Sequence, residues 1–137
     1  MRVPAGTHAA DPACADIIVA APPEMLGLKQ HETTSQSTVA WGSGADTIVL
    51  RCGVQPPGPT TDTCTRLQDA NGTDIDWIVR DEDDILTYTT YGRSPAVDIT
   101  VPRRVAPDQP SAVALEMTRP IATIEPTAHC IGPGDAK

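Results

Sequence analysis

TCTRLQDANGTDIDWIVRDEDDILTYTTYGRSPAVDITV, residues 63–101, decides the fold. Asn71-Gly72 is a hairpin signal, because a tight two-residue turn needs positive φ at its centre and these residues accept it. Ile75, Trp77 and Val79 alternate after the turn, and Leu86, Tyr88 and Thr90 alternate in the next run. Val97, Ile99 and Val101 then alternate against Asp98 and Thr100, and Pro102 stops the strand. A period of two marks strands buried on one face. The stretch therefore predicts an antiparallel meander.

Working outward, STVAW (residues 37–41) puts Val39 and Trp41 on one face, GSGAD (42–46) is a turn, and TIVLRC (47–52) is a further strand. GVQPPGPTTD (53–62) is a proline-rich loop. Asp11 followed by Pro12 suits a helix start, and that helix ends before Pro22–Pro23 because the residue preceding a proline avoids helical geometry. Val113, Met117, Ile121 and Ile124 recur at helical spacing after Pro110. Pro120 would interrupt that helix, so a break is expected near Arg119. The prediction is an α+β fold: an antiparallel sheet of five to seven strands with two helices packed on one face. Residues 11–131 form the single domain, with flexible segments at 1–10 and 132–137 and no internal repeat.

The chain has 137 residues, with no Phe, two Trp and two Tyr. Val, Ile, Leu and Ala must supply most of the interior, and cross-links would support so thin a core. The net charge is −8, with Lys only at 29 and 137. Nucleic-acid binding is excluded by the missing basic footprint, and attraction to an anionic membrane surface is disfavoured on the same ground. No apolar run reaches the ~20 residues of a membrane span, and MRVPAGTHAADPAC carries no apolar signal segment.

Cys14, Cys52, Cys64 and Cys130 are the cysteines. None forms the close pair a zinc site uses, and His8, His31 and His129 lack partner spacing. A cysteine nucleophile at Cys130 is disfavoured, because its neighbour His129 would point to the opposite face of a strand. Two disulfides remain, as expected in an oxidising compartment. Cys14 shares a helical stripe with Ile17, Ile18 and Ala21, and Cys52 shares a strand face with Ile48 and Leu50. That favours Cys14–Cys52 with Cys64–Cys130, the second bridge pinning the C-terminal segment. The rival is a local Cys52–Cys64 clasp with Cys14–Cys130.

No catalytic or metal constellation stands out, and no cofactor is implied. Residues 69–84 hold seven carboxylates and one arginine, but Asp81, Glu82, Asp83 and Asp84 lack EF-hand spacing. A solvated hairpin tip is expected there, with calcium the alternative. Ser43 lies between two glycines in a turn, not in a nucleophile elbow. Asn71-Gly72-Thr73 matches the glycosylation pattern but is already explained by the turn. TTYGRSP (89–95) is the informative short stretch. Arg93, with Tyr91 and the hydroxyls of Thr89 and Thr90, could hold a carboxylate or phosphate. The plain structural alternative is a strand-end bulge at Gly92 with Arg93 paired to a local acid.

The fragments CADIIVAAPPEMLGL, VAWG, TIVLRCGV, NGTDIDW and TTYGRSPAVDITVP, in this order, resemble the actinobacterial family called domain of unknown function 3515, over about Cys14 to Ile124. The resemblance implies a secreted or membrane-anchored protein with an N-terminal hydrophobic segment that this sequence lacks. It also implies that Cys14 and Cys52 match the family's two cysteines, which supports the first pairing. No activity comes with it. The expectation is an extracytoplasmic binding or accessory module of the cell envelope. Its candidate contacts with a protein or small ligand are Trp41, Tyr91 and Arg93. The alternative is a small hydrolase or metal-dependent enzyme.

Overall fold

In the computed structural model, residues 4–58, 62–132 and 135–136 are described. Residues 1–3 of the expected lead, 59–61 of the proline-rich loop, and 133, 134 and 137 of the expected tail lie outside them. Helix α1 is Pro12–Ala20. The strands that follow are β1 (Glu24–Met25), β2 (Leu28–His31), β3 (Thr38–Trp41), β4 (Ile48–Val54), β5 (Thr63–Gln68), β6 (Asp74–Glu82), β7 (Ile85–Thr90) and β8 (Ala96–Pro102). Helices α2 (Ser111–Glu116) and α3 (Thr118–Ile121) come next, then a small ribbon of β9 (Cys130–Gly132) and β10 (Asp135–Ala136).

The fold is mostly antiparallel sheet with a few short helices. The main sheet has eight strands in the order β1-β2-β3-β4-β8-β7-β6-β5, where five to seven were expected. The difference lies at the β1–β2 hairpin, whose turn is Leu26-Gly27 with φ of 52° and 81°. A non-glycine residue at positive φ leaves little sequence signal. Two meanders, β1–β4 and β5–β8, join where β4 pairs with β8, and the chain crosses from the centre of the sheet to its far edge between them.

The strand faces follow the alternation. Leu50 lies opposite Ile99 and Cys52 opposite Val97, while Tyr88 lies opposite both Ile99 and Val79 on its two neighbouring strands. These side chains form one core with Cys14 and Ile17 of α1 and with Val113, Met117, Ile121 and Ile124 of the C-terminal segment. All four aromatic residues are buried, and Trp77 meets Tyr88 edge-on at 6.1 Å between ring centroids. Asp11 caps α1 by accepting from the backbone N–H of Ala13.

The C-terminal helical run breaks at Met117, close to Arg119 as expected. Restarting at Thr118 puts Pro120 within the first turn of α3, where its missing N–H has no intrahelical acceptor to lose. Residues 4–10 fold back onto β4: the N–H of His8 donates to the carbonyl of Gly53 at 2.7 Å. Gly53 has a φ of +90°, and a Cβ there would fall 2.4 Å from the His8 backbone.

Cys14 bonds Cys52 and Cys64 bonds Cys130, with Cα separations of 5.5 and 5.7 Å, so the first of the two pairings is the one present. Cys14–Cys52 lies in the helix–sheet core. Cys64 lies opposite Ile78 and so faces the other way. Its bridge holds the segment after α3 across the outer face, over a small apolar cluster of Cys64, Ile78 and Tyr91 packed against Ala128 and Cys130.

Candidate functional site

Three segments converge at one end of the outer face. The β5–β6 hairpin turns at Asp69–Thr73 and places Arg66 opposite Asp76. The β7–β8 connection supplies Tyr91 and Arg93, and includes a cis peptide at Ser94-Pro95. The strap is the chain after α3, held because the carbonyl of Gly92 accepts both from the backbone N–H of Thr127, at 2.6 Å, and from its hydroxyl. Gly92 has a φ of +79°, and a Cβ there would stand 2.1 Å from the Ala128 carbonyl oxygen, so only glycine lets the strap lie this close.

Between the segments lies a cleft of about 280 Å³, lined by Arg66, Asp74, Asp76, Tyr91, Arg93 and three strap residues, Pro126, Ala128 and His129. Asp76 is buried and accepts from Arg66 Nε and from the backbone N–H of Cys130, each at 2.9 Å. His129 Nδ1 lies 3.4 Å from the same carboxylate. Burial pushes the Asp76 pKa up, but the bonds from Arg66 and Cys130 and the charges of Arg66 and His129 outweigh it, leaving the carboxyl below its usual value.

Arg93 is only 7 % exposed. Its Nη1 donates to the Ile124 carbonyl and its Nη2 to that of Asp74, at 3.4 Å. Nε is buried without a partner. Burial lowers its pKa, partly opposed by the charges of Asp76 and Glu125. The expected pairing of Arg93 with a local acid is therefore corrected: it contacts backbone carbonyls.

The structure brings together Tyr91 and Arg93 but not Trp41. Trp41 has no exposed surface, packs in the core, and donates its indole N–H to the Pro22 carbonyl at 2.8 Å. Thr90 is also spent, since its hydroxyl accepts from the backbone N–H of Val97, and Thr89 does not line the cleft. Sequence reasoning missed Arg66, Asp76 and His129. Folding residues 63–79 about Asn71 would have set Arg66 opposite Asp76, a cross-strand ion pair. At the acidic tip, Asp83 and Asp84 form the turn with φ of 52° and 63°, and Asp81 pairs with Arg103. Among the described residues, no group of three or more His, Cys, Asp or Glu side chains is placed to hold a metal ion.

These features define a small antiparallel-sheet domain with helices on one face, a strap on the other and a disulfide on each side. Two disulfides suit an oxidising environment, and no described helix is long and apolar enough to cross a membrane. The chain belongs to the family described as protein of unknown function (DUF3515), whose match covers residues 1–129. No curated protein and no solved structure matches it.

Proposed function

We propose that this is an extracytoplasmic binding or accessory domain of the cell envelope, secreted or membrane-anchored, that recognises its partner or ligand through the Arg93 cleft. One observation carries it: a buried guanidinium with no carboxylate contact among the described residues lines a concave site. Buried cations are normally paired, and concave sites with a few convergent polar groups are the usual places for ligands. The two disulfides support the compartment. Among the described residues, no Ser, Thr or Cys side chain lines the cleft beside His129.

The test is photo-crosslinking in the native host. A crosslinker at His129 or Asp74, both exposed at the cleft, is compared with one at Val19, which is 86 % exposed on α1. Envelope components captured from the cleft positions and not from Val19 support the proposal. Identical capture from all three positions, or none from the cleft, overturns it.

A further inference from the structure

We propose that the Arg93 cleft binds its ligand through a single carboxylate group, as carried by a small organic acid or the free C-terminus of a peptide. This rests on the cleft being the recognition site. The hydrogen-bond inventory points to the ligand's chemistry. A guanidinium offers five N–H donors. Arg93 uses two, on backbone carbonyls, and keeps a buried Nε without a partner. Arg66 spends Nε on Asp76, and its side chain is still half exposed at the cleft. Tyr91 makes no side-chain hydrogen bond among the described residues, and it too lines the cleft.

On the acceptor side, Asp76 already takes Arg66 and the Cys130 N–H. Asp74 lies exposed at the cleft. Donors therefore outnumber uncommitted acceptors, which calls for a ligand rich in acceptors. A buried cation left with an unsatisfied N–H is costly, and an anion seated on it offsets that cost.

The charge of the ligand is bounded by the same residues. Two arginines face two carboxylates across the cleft, and His129 adds positive charge only when protonated. These four charges cancel, so a group with one negative charge leaves a single negative charge that a proton on His129 can offset, and any further charge on the ligand goes uncompensated. A phosphate dianion would meet Asp74 and Asp76 with its second charge. A carboxylate also matches the planar fork of a guanidinium.

The experiment is a titration of the ¹⁵N-labelled protein, followed by amide shifts, with four probes: acetate, an N-acetylated dipeptide with a free C-terminus, the same dipeptide as its C-terminal amide, and inorganic phosphate. Each runs to about 50 mM at constant ionic strength, enough to see millimolar affinity. Both carboxylates should shift the amides of Arg66, Gly92, Arg93 and His129, and the amide-capped dipeptide should not. A dipeptide binding at least tenfold tighter than acetate would identify a peptide terminus, and comparable affinities a small acid. Tyr91→Phe, which keeps the ring in its packing, should weaken carboxylate binding roughly fivefold by removing one hydrogen bond. Equal shifts with acid and amide, stronger binding of phosphate, or no cleft shifts with any probe would overturn the carboxylate. Crosslinks from His129 or Asp74 would still stand in that case, so the two failures are distinguishable.

Discussion

The backbone N–H of Cys130 donates to Oδ2 of Asp76 at 2.9 Å, so the residue that closes the second disulfide also caps the buried carboxylate beneath it. Asp76 thereby ties together β5 through Arg66, β6 through its own backbone, and the strap through Cys130.

That tie is pH-dependent. The folded protein holds Asp76 at a lower pKa than the unfolded chain does. Between the two values the unfolded state binds more protons, so stability rises with pH there. The contribution is complete above pH about 4, the ordinary carboxylate value, and is lost as pH falls through the folded value. Asp76→Asn should therefore destabilise the protein at pH 7 by about 1–3 kcal/mol, the range for weakening hydrogen bonds to a buried charge. The gap from the parent should narrow below pH about 4. Urea midpoints of both proteins across this range check it, and a gap independent of pH would contradict it.

The two bridges should fail differently. Replacing Cys64 and Cys130 together by Ser should cost about 2–4 kcal/mol. It should also speed hydrogen exchange at the strap amides of Thr127 and Cys130, whose acceptors are Gly92 and Asp76. Protection of the central β4–β8 pairs should fall only by the global loss. Replacing Cys14 and Cys52 together by Ala instead opens a space in the main core. Faster exchange should then appear in α1 and β4, with the strap keeping its local protection. Hydrogen exchange read by mass spectrometry separates the two patterns.

Gly92 and Gly72 offer a matched pair. Both have φ near +80°, but a Cβ at Gly72 meets nothing within 4 Å, whereas one at Gly92 meets the Ala128 backbone. Gly72→Ala should cost only the backbone strain, about 1 kcal/mol. Gly92→Ala adds displacement of the strap and should cost at least about 2 kcal/mol, in the range of strong single-residue effects. Equal melting temperatures for the two variants would show that the strap does not depend on Gly92.

Much of this organisation is legible in the sequence because it is periodic. The alternation from Ile75 to Val101 gives three central strands, and the Cys14 stripe with the Cys52 face gives the buried bridge. The β1–β2 hairpin escapes notice because its runs are short and Leu26 occupies a left-handed position without a glycine signal. The cleft is only half legible. Tyr91 and Arg93 are close in sequence, whereas Arg66, Asp76 and His129 join them through strand register and a disulfide, and register depends on which turn wins. Trp41 is the instructive error: a lone tryptophan before a glycine turn looks like a contact residue, but its alternation with Val39 aims it into the core.

Arg93 separates stability from recognition. If its role were purely to hold the fold, Arg93→Met should lower the melting temperature sharply. Its guanidinium, however, is a buried cation that, among the described residues, contacts no carboxylate and carries one unsatisfied N–H. Replacing such a charge by an apolar side chain of similar length removes a desolvation penalty. Against this stands the loss of two bonds to the Ile124 and Asp74 carbonyls, at about 1.5–3 kcal/mol each for a charged donor. The opposing effects should leave Arg93→Met within about 2 kcal/mol of the parent, while carboxylate binding is lost. Asp76→Ala should stay folded with Arg66 still solvated, yet lose the cap on Cys130 and loosen the strap. Urea unfolding of both variants, paired with the acetate titration, checks the assignment. A folded Arg93→Met that binds acetate as the parent does would remove Arg93 from the site.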